Sequence, residues 1–224
     1  MNTRKRNTLK QLKSLVLTSL AATTLAAGLS ACAPMVLGGA AVGALVATDR
    51  RTSGAQLEDE GIELRAASRL RSALGSRVNV NVNSYNRQVL LTGEVPDESH
   101  KQMVEQIVRQ VENVNSTVNE LAVMGQSTLG QRSSDTLVTG KVRATLVDAR
   151  DLSANAFRVV TERGTVYLMG RVTQREADRA TQLARSVGGV QRVVRVFEII
   201  SEDELARITT VQRTAPASTA PATR

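Results

Sequence analysis

The chain has 224 residues, a single cysteine, two tyrosines, two phenylalanines and a formal net charge of +8. One cysteine excludes an internal disulfide, a CxxC redox pair and a cysteine-based zinc cluster. The scarcity of aromatic side chains argues against a surface on which bases would stack, so we expect no nucleic-acid partner.

The N-terminus combines basic residues with an apolar run. Five lysine or arginine residues and no acidic residue lie within residues 1–13, and residues 15–29 are uncharged. This pattern is typical of an export signal, and it is too short for a stable membrane span. Without residues 1–31 the chain has 24 basic and 21 acidic residues, so most of the positive charge belongs to the signal.

The lone cysteine, Cys32, ends this signal in the tetrapeptide Leu-Ser-Ala-Cys. The tetrapeptide resembles the lipobox of bacterial lipoproteins, in which the signal is cut before a cysteine that receives diacylglycerol and an N-acyl chain. An ordinary secretory signal is the alternative, because Ala31 and Ala33 also fit a small-residue cleavage pattern. We favour lipidation of Cys32, because the chain has no other cysteine and the apolar run ends at the right place for a lipobox. Two or three acyl chains would anchor the protein firmly, and we expect no other cofactor.

Residues 57–124 and 135–202 carry the same pattern twice. The segment VLLTGEV at residues 89–95 matches VYLMGRV at residues 166–172. Apolar residues at helical spacing precede and follow each match, and alternating residues indicate strands. Each copy therefore predicts the order αββαβ, an α+β fold in which a three-stranded mixed sheet packs on two helices.

Several positions in the repeats predict turns, caps or close packing. Residues 86–87 and 163–164 predict two-residue hairpin turns, and residues 173–176 match a capping box. Gly93 and Gly170 recur in the second strand of each repeat. We interpret both as structural glycines that permit a bulge or a close backbone approach, rather than as ligand contacts.

Three further segments lie outside the repeats. We expect a lipid-anchored tether at residues 32–56, a linker at residues 125–134 and a disordered tail at residues 203–224. The tether contains an apolar, glycine-rich stretch at residues 35–47 that is too short to span a bilayer. This stretch either lies against the membrane beside the anchor or packs on the first repeat.

The repeated unit, with its Leu-x-Gly-x-Val second strand, resembles the BON domain. A Gly-Gly-Val entry into the third strand, at residues 188–190, adds to the resemblance, whereas the first repeat has Glu-Asn-Val at residues 112–114. Two such repeats behind a lipobox, over about residues 32–202, resemble the division and outer membrane stress-associated lipid-binding lipoproteins of Gram-negative bacteria.

That resemblance implies a function as well as a fold. It implies a non-enzymatic protein that is anchored in the outer membrane and faces the periplasm. Its partner would be an anionic phospholipid membrane containing phosphatidylglycerol or cardiolipin, and its role would be to support outer-membrane integrity under envelope stress. Ala33, after the cysteine, favours the outer membrane because lipoproteins of the inner membrane usually carry aspartate there.

The residues present offer little for catalysis or metal binding. His100 is the sole histidine, and we expect it to be a solvated surface residue. We interpret the acidic run at residues 58–60 as helix N-terminal capping rather than a cation site. We therefore expect no enzyme activity, no catalytic residue and no metal site.

Charge separates the two repeats. Residues 57–124 hold seven basic and ten acidic residues, whereas residues 135–200 hold eleven basic and seven acidic residues. Only the second repeat is suited to an anionic surface. A competing hypothesis is a periplasmic interaction scaffold or chaperone-like protein that docks an envelope protein partner, with the lipid serving only as an anchor.

The first helix of the second repeat carries the predicted lipid-binding residues. Where Val138 and its helical neighbours face the core, Leu137 and Lys141 lie one turn apart on an outer face, with Arg143 at the flank. Interfacial binding uses an apolar side chain beside a basic one. We predict that Leu137, Lys141 and Arg143 contact lipid, and the alternative is that Leu137 packs on the other repeat or on the linker.

Overall fold

A computed structural model describes residues 49–214, which belong to a single compact unit. The expected signal peptide, Cys32 and the stretch at residues 35–47 lie outside the described residues, as does the end of the expected tail. Among the helices of residues 49–214, none combines the length and apolar character that crossing a membrane requires.

The first repeat has the predicted order αββαβ. The hairpin strands β1 and β2 are antiparallel, and an edge strand in two short pieces, β3 and β4, runs parallel to β2, so β1 has a free edge. The elements of this repeat are α1 (Ser53–Leu74), β1 (Asn79–Tyr85), β2 (Gln88–Val95), α2 (Glu98–Arg109), β3 (Ser116–Asn119) and β4 (Ala122–Val123).

The second repeat follows the same plan. Strand β5 is antiparallel and β7 is parallel to the central strand β6, which confirms a three-stranded mixed sheet. Its elements are α3 (Leu129–Asp148), β5 (Phe157–Glu162), β6 (Thr165–Val172), α4 (Gln174–Arg185) and β7 (Arg192–Ile199), and a further helix, α5 (Glu202–Thr214), follows.

Both hairpins close through the predicted two-residue turns. The backbone φ is 50° at Asn86, 67° at Arg87, 48° at Arg163 and 68° at Gly164. Two successive residues with positive φ match the twist of the flanking strands, which is why short hairpins favour this turn.

A buried carboxylate from the first helix of each repeat holds the turn in place. Asp59 accepts hydrogen bonds from both amides of the turn at residues 86–87, and Asp135 does the same for residues 163–164, all at 2.8 Å. The interpretation of residues 58–60 as a helix cap is therefore wrong for Asp59. Helix α1 begins further upstream, where Thr52 is the N-cap, and this leaves Asp59 in the helix interior facing the hairpin.

Gly93 and Gly170 lie where the neighbouring backbone leaves no room for a side chain. A Cβ atom at Gly93 would be 2.1 Å from the carbonyl oxygen of Asn79, and one at Gly170 would be 2.3 Å from that of Ala156. Gly93 also has a φ of 112°, which side chains disfavour. Each glycine thus allows the second strand to lie close to the start of its hairpin.

The two repeats pack through their sheets. The helices of each repeat cover one face of its sheet and enclose a core. The opposite faces meet in a third apolar cluster, formed by Tyr85 and Leu90 of the first repeat with Tyr167, Met169 and Val196 of the second. This contact adds buried apolar surface that a unit of about 65 residues lacks alone.

Ordered structure extends beyond the expected repeat boundaries. Helix α3 begins at Leu129, inside the expected linker, because Thr128 and Gln131 form a capping box. Helix α5 occupies the first part of the tail that composition predicts to be disordered. An ion pair of 2.7 Å between Arg171 and Glu204 attaches this helix to the second repeat.

Candidate functional site

The three residues predicted to contact lipid lie on the exposed side of α3. Leu137 is 66% exposed, and Lys141 and Arg143 are also exposed, whereas Val138 is buried in the core. The helix therefore presents the face that the sequence predicts. Leu137 has most of its surface free for a ligand, since it is not buried against the first repeat or the linker.

Val147 is a further exposed apolar residue that we did not single out from the sequence. It is 68% exposed, and the small residues Gly140 and Ala144 are exposed between it and Leu137. Steps of three, four and three residues place all four on one side of a helix, over about 15 Å. The same spacing is visible in the sequence and could have indicated Val147. We call Leu137, Gly140, Lys141, Arg143, Ala144 and Val147 the α3 surface.

The basic residues around the α3 surface lack acidic partners among residues 49–214. Seven of the eleven basic residues in the second repeat form ion pairs with carboxylates. The four that form none are Lys141, Arg143, Arg150 and Arg185. Three of these belong to α3 or to the turn that follows it. Most of the unpaired basic residues of the repeat therefore lie on α3 and in the turn after it, where Asp148 is also exposed and forms no ion pair among the described residues.

The described chain begins next to the α3 surface. Asp49 and Arg51 line the same pocket as Arg143 and Val147. The guanidinium of Arg51 lies over the ring of Tyr85, 4.1 Å from its centroid. The first described residues, which follow the expected tether, therefore lie beside the exposed face of α3.

Arg50 attaches this segment to the second repeat. Its guanidinium donates two hydrogen bonds of 2.7 Å to the carboxylate of Glu176 and one of 2.9 Å to the carbonyl of Arg171. The Arg50 and Glu176 side chains are 5% and 4% exposed. Burial raises the pKa of Glu176, but the bonds from Arg50 and from the Thr173 amide outweigh it, so the pKa lies below its ordinary value.

His100 has a structural contact at a helix terminus. Its amide donates to the carboxylate of Asp97, the N-cap of α2, and its Nδ1 lies 2.8 Å from the same oxygen. These contacts, the amide bond first, hold the pKa of Asp97 below its ordinary value. Elsewhere in residues 49–214, no three histidine, cysteine or acidic side chains are arranged to hold a metal ion.

Comparisons with known proteins cover both repeats. The family model of the BON domain matches residues 59–125 and 134–201. The outer membrane lipoprotein DolP of Haemophilus influenzae is 37% identical over 175 residues, which are 77% of this chain and 90% of that protein. A 21 kDa hemolysin of Actinobacillus pleuropneumoniae is 32% identical over 154 residues, which are 68% of this chain and 79% of the hemolysin.

A more distant relative has the same kind of resemblance. The osmotically-inducible protein Y of Escherichia coli is 27% identical over 118 residues, which are 51% of this chain and 59% of that protein. The second family match, residues 134–201, contains the whole α3 surface.

Proposed function

Because the chain belongs to the BON-domain family, we propose that it is an outer-membrane lipoprotein that binds anionic phospholipids through the α3 surface and supports outer-membrane integrity under envelope stress. Acyl chains on Cys32 would anchor it on the periplasmic side. The observation that carries the proposal is the α3 surface itself, where Leu137 and Val147 are exposed beside basic residues without acidic partners.

Each part of the α3 surface has a defined role in the proposed contact. Leu137 and Val147 enter the boundary between headgroups and acyl chains, while Lys141 and Arg143 meet lipid phosphates. A basic residue near an anionic bilayer contributes about 1 kcal/mol, and full burial of a leucine or valine contributes about 1.5–3 kcal/mol. A few such residues, only partly buried, support a weak contact that works when the protein is already held at the membrane.

Acyl chains on Cys32 would hold the protein at the membrane and so allow a weak contact to work. Asp49 follows Cys32 by 17 residues, so even a fully extended connection would reach no more than about 60 Å. Tethering at this range gives the α3 surface a high local concentration at the bilayer. Asp49, the first described residue, lines the same pocket as Arg143 and Val147, so the tether joins the described part of the chain close to the α3 surface.

The first repeat lacks an equivalent surface. At the offset of 76 residues, Leu137 corresponds to Gly61 and Val147 to Arg71. The base that corresponds to Lys141 is Arg65, which forms an ion pair with Glu58. With its two apolar residues replaced and the base at the Lys141 position paired, α1 does not repeat the combination of exposed apolar and basic residues that defines the α3 surface.

Vesicle binding tests this proposal. The chain from residue 33 onward retains every described element and carries no acyl group, so its sedimentation with vesicles measures the α3 contact alone. We expect binding to phosphatidylglycerol vesicles, weaker binding at higher salt and no binding to phosphatidylcholine vesicles. Leu137→Glu and Lys141→Glu should each weaken binding at least tenfold, whereas Leu57→Glu, at a leucine of α1 that is 71% exposed, should not.

Two results would contradict the proposal. One is equal loss of binding in Leu57→Glu and Leu137→Glu, which would mean that α3 has no special role. The other is no binding to phosphatidylglycerol at low salt, which would favour the scaffold hypothesis, with lipid only as an anchor.

A further inference from the structure

A groove runs along the free edge of β1, between the two repeats. Helix α1 forms one wall and β5 forms the other, and the volume is about 640 Å³. The wall residues are Glu60, Glu63, Leu64, Ala67, Val160, Thr161 and Glu162, with residues 80–83 of β1 between the walls. A strand edge flanked by a helix is a geometry in which an extended peptide can add to a sheet.

The hairpin register shows which backbone groups face this groove. Tyr85 and Gln88 flank a two-residue turn and so form a hydrogen-bonded pair, after which such pairs alternate along the ladder. Asn83 and Asn81 therefore direct their amides and carbonyls towards β2. Val82, which lies between them, and Val80 direct theirs outward.

Ser84 provides an independent check of this alternation. Its amide donates to the carboxylate of Glu63 at 2.8 Å, and its carbonyl accepts from Arg158 at 3.0 Å, so both groups point away from β2. Val82 and Val80 lie two and four residues before Ser84, so their amides and carbonyls also point away from β2. Within residues 49–214 these amides and carbonyls have no hydrogen-bond partner. These four backbone groups form a short template for another strand.

The walls indicate which kind of strand would fit. Leu64 is 71% exposed and Val160 is half-buried on the opposite wall, so both walls offer apolar contact. The charged residues that line the groove are Glu60, Glu63 and Glu162. Glu63 pairs with Arg158 and Glu162 lies 3.8 Å from Arg163, whereas Glu60 is exposed with no ion pair among the described residues. Anionic headgroups would be repelled here, whereas a basic peptide would be attracted.

We propose that this groove binds an extended, basic peptide segment of a partner protein, which adds as a strand to the edge of β1 at Val80 and Val82. One set of alternate peptide side chains would face Leu64 of α1, and the other would face Glu162 of β5. This site is separate from the α3 surface, so it neither requires nor excludes lipid binding.

A designed probe tests the site. The probe is a fluorescein-labelled hexapeptide that alternates lysine with valine, and its binding to the chain from residue 33 onward is followed by fluorescence anisotropy. Val82→Pro removes one outward amide without removing a bond to β2, and Glu60→Lys reverses the exposed charge. We expect each to weaken binding at least fivefold, while Glu112→Lys, an exposed acid outside the groove, has no such effect.

A second measurement keeps the test independent of the stability of the variants. A probe with an N-methyl group on every residue has the same side chains and charge but has no backbone amide to donate at either edge, so it should not bind the unaltered protein. Equal affinity for the methylated probe, or for a probe with glutamate in place of lysine, would overturn the proposal.

Two other outcomes would assign the groove to a different occupant. Tighter probe binding after removal of residues 215–224 would identify the chain's own tail. Dimerisation in sedimentation that Glu60→Lys or Val82→Pro abolishes would identify a second copy. Either result would contradict a partner protein as the ligand.

Discussion

Arg50→Ala is the substitution for which the structure predicts the largest change in stability from a residue outside the repeats. The arginine lies in the segment expected from the sequence to be only a tether, yet its guanidinium is buried against Glu176 with two bonds of 2.7 Å. Removal leaves a carboxylate that is 4% exposed without its cation. Loss of one partner of a buried ion pair costs about 3–5 kcal/mol.

The Thr173 amide still donates to Glu176 in the variant, so we expect the lower end of that range, about 3 kcal/mol. For a domain of this size, each kcal/mol lowers the melting temperature by about 2–4 °C, so the expected decrease is about 6–12 °C. Thermal unfolding followed by circular dichroism measures this value. Arg51→Ala is not a neutral control, because Arg51 pairs with Asp59. Arg71→Ala is the control, because it removes an exposed arginine that forms no ion pair among the described residues.

The stability difference between the unaltered chain and Arg50→Ala should depend on pH. The pKa of Glu176 is lowered in the folded protein, so its contribution to stability is present above its unfolded pKa of about 4.3 and is lost as the pH falls through the folded value. The difference between the unaltered chain and Arg50→Ala should therefore be largest near pH 7 and should shrink below about pH 4. An equal difference at both pH values, or a melting temperature within 1 °C or so of the unaltered chain, would refute this reasoning.

Three further predictions concern other parts of the molecule. Gly170→Ala should lower the free energy of unfolding by at least about 2 kcal/mol in denaturant titration, because its Cβ would lie 2.3 Å from the carbonyl oxygen of Ala156; a change below about 0.5 kcal/mol would contradict this packing. Asp148→Asn removes an exposed acid from the end of α3 and should strengthen binding to phosphatidylglycerol vesicles about two- to fivefold, while unchanged binding would mean that this end of the helix does not approach the bilayer. Mass spectrometry of the native protein should find Cys32 as the first residue, carrying acyl chains, and an N-terminus beyond residue 32 would exclude the anchor.

Local patterns in the sequence predict much of the fold. The 3.6-residue and two-residue periodicities of each repeat indicate the helices and strands, and duplication makes both patterns easier to recognise. Each turn contains one residue type that tolerates positive φ, Asn86 in the first and Gly164 in the second, and these residues indicate the hairpin turns. The exposed position of Leu137 follows from the same periodicity, because the neighbouring Val138 belongs to the core stripe.

Contacts between distant parts of the chain explain what the sequence does not predict. Asp59 resembles a capping residue by its local neighbours, but its true partners are the turn amides of residues 86–87. Arg50 and Glu176 are separated by 126 residues, and no local rule links them. The packing of the two sheets likewise depends on surfaces that assemble only after each repeat has folded.

The electrostatic character of the α3 surface also depends on tertiary structure. Composition indicates that the second repeat is basic, but it does not show which bases are neutralised. The structure pairs Arg158 with Glu63 and Arg192 with Glu120 across the two repeats, at 2.7 and 3.0 Å. The unpaired bases therefore remain mainly on and beside α3, a distribution that net charge alone does not reveal.

The most direct test of the proposed function is a measurement of what contacts the bilayer. The chain from residue 33 onward has no cysteine, so Leu137→Cys, Val147→Cys and Leu57→Cys each create one site for an environment-sensitive fluorophore. With phosphatidylglycerol vesicles, we predict a blue shift and a gain in intensity for the label at residues 137 and 147 but not at residue 57. A shift at residue 57 without one at residues 137 and 147 would contradict a lipid-binding role for α3.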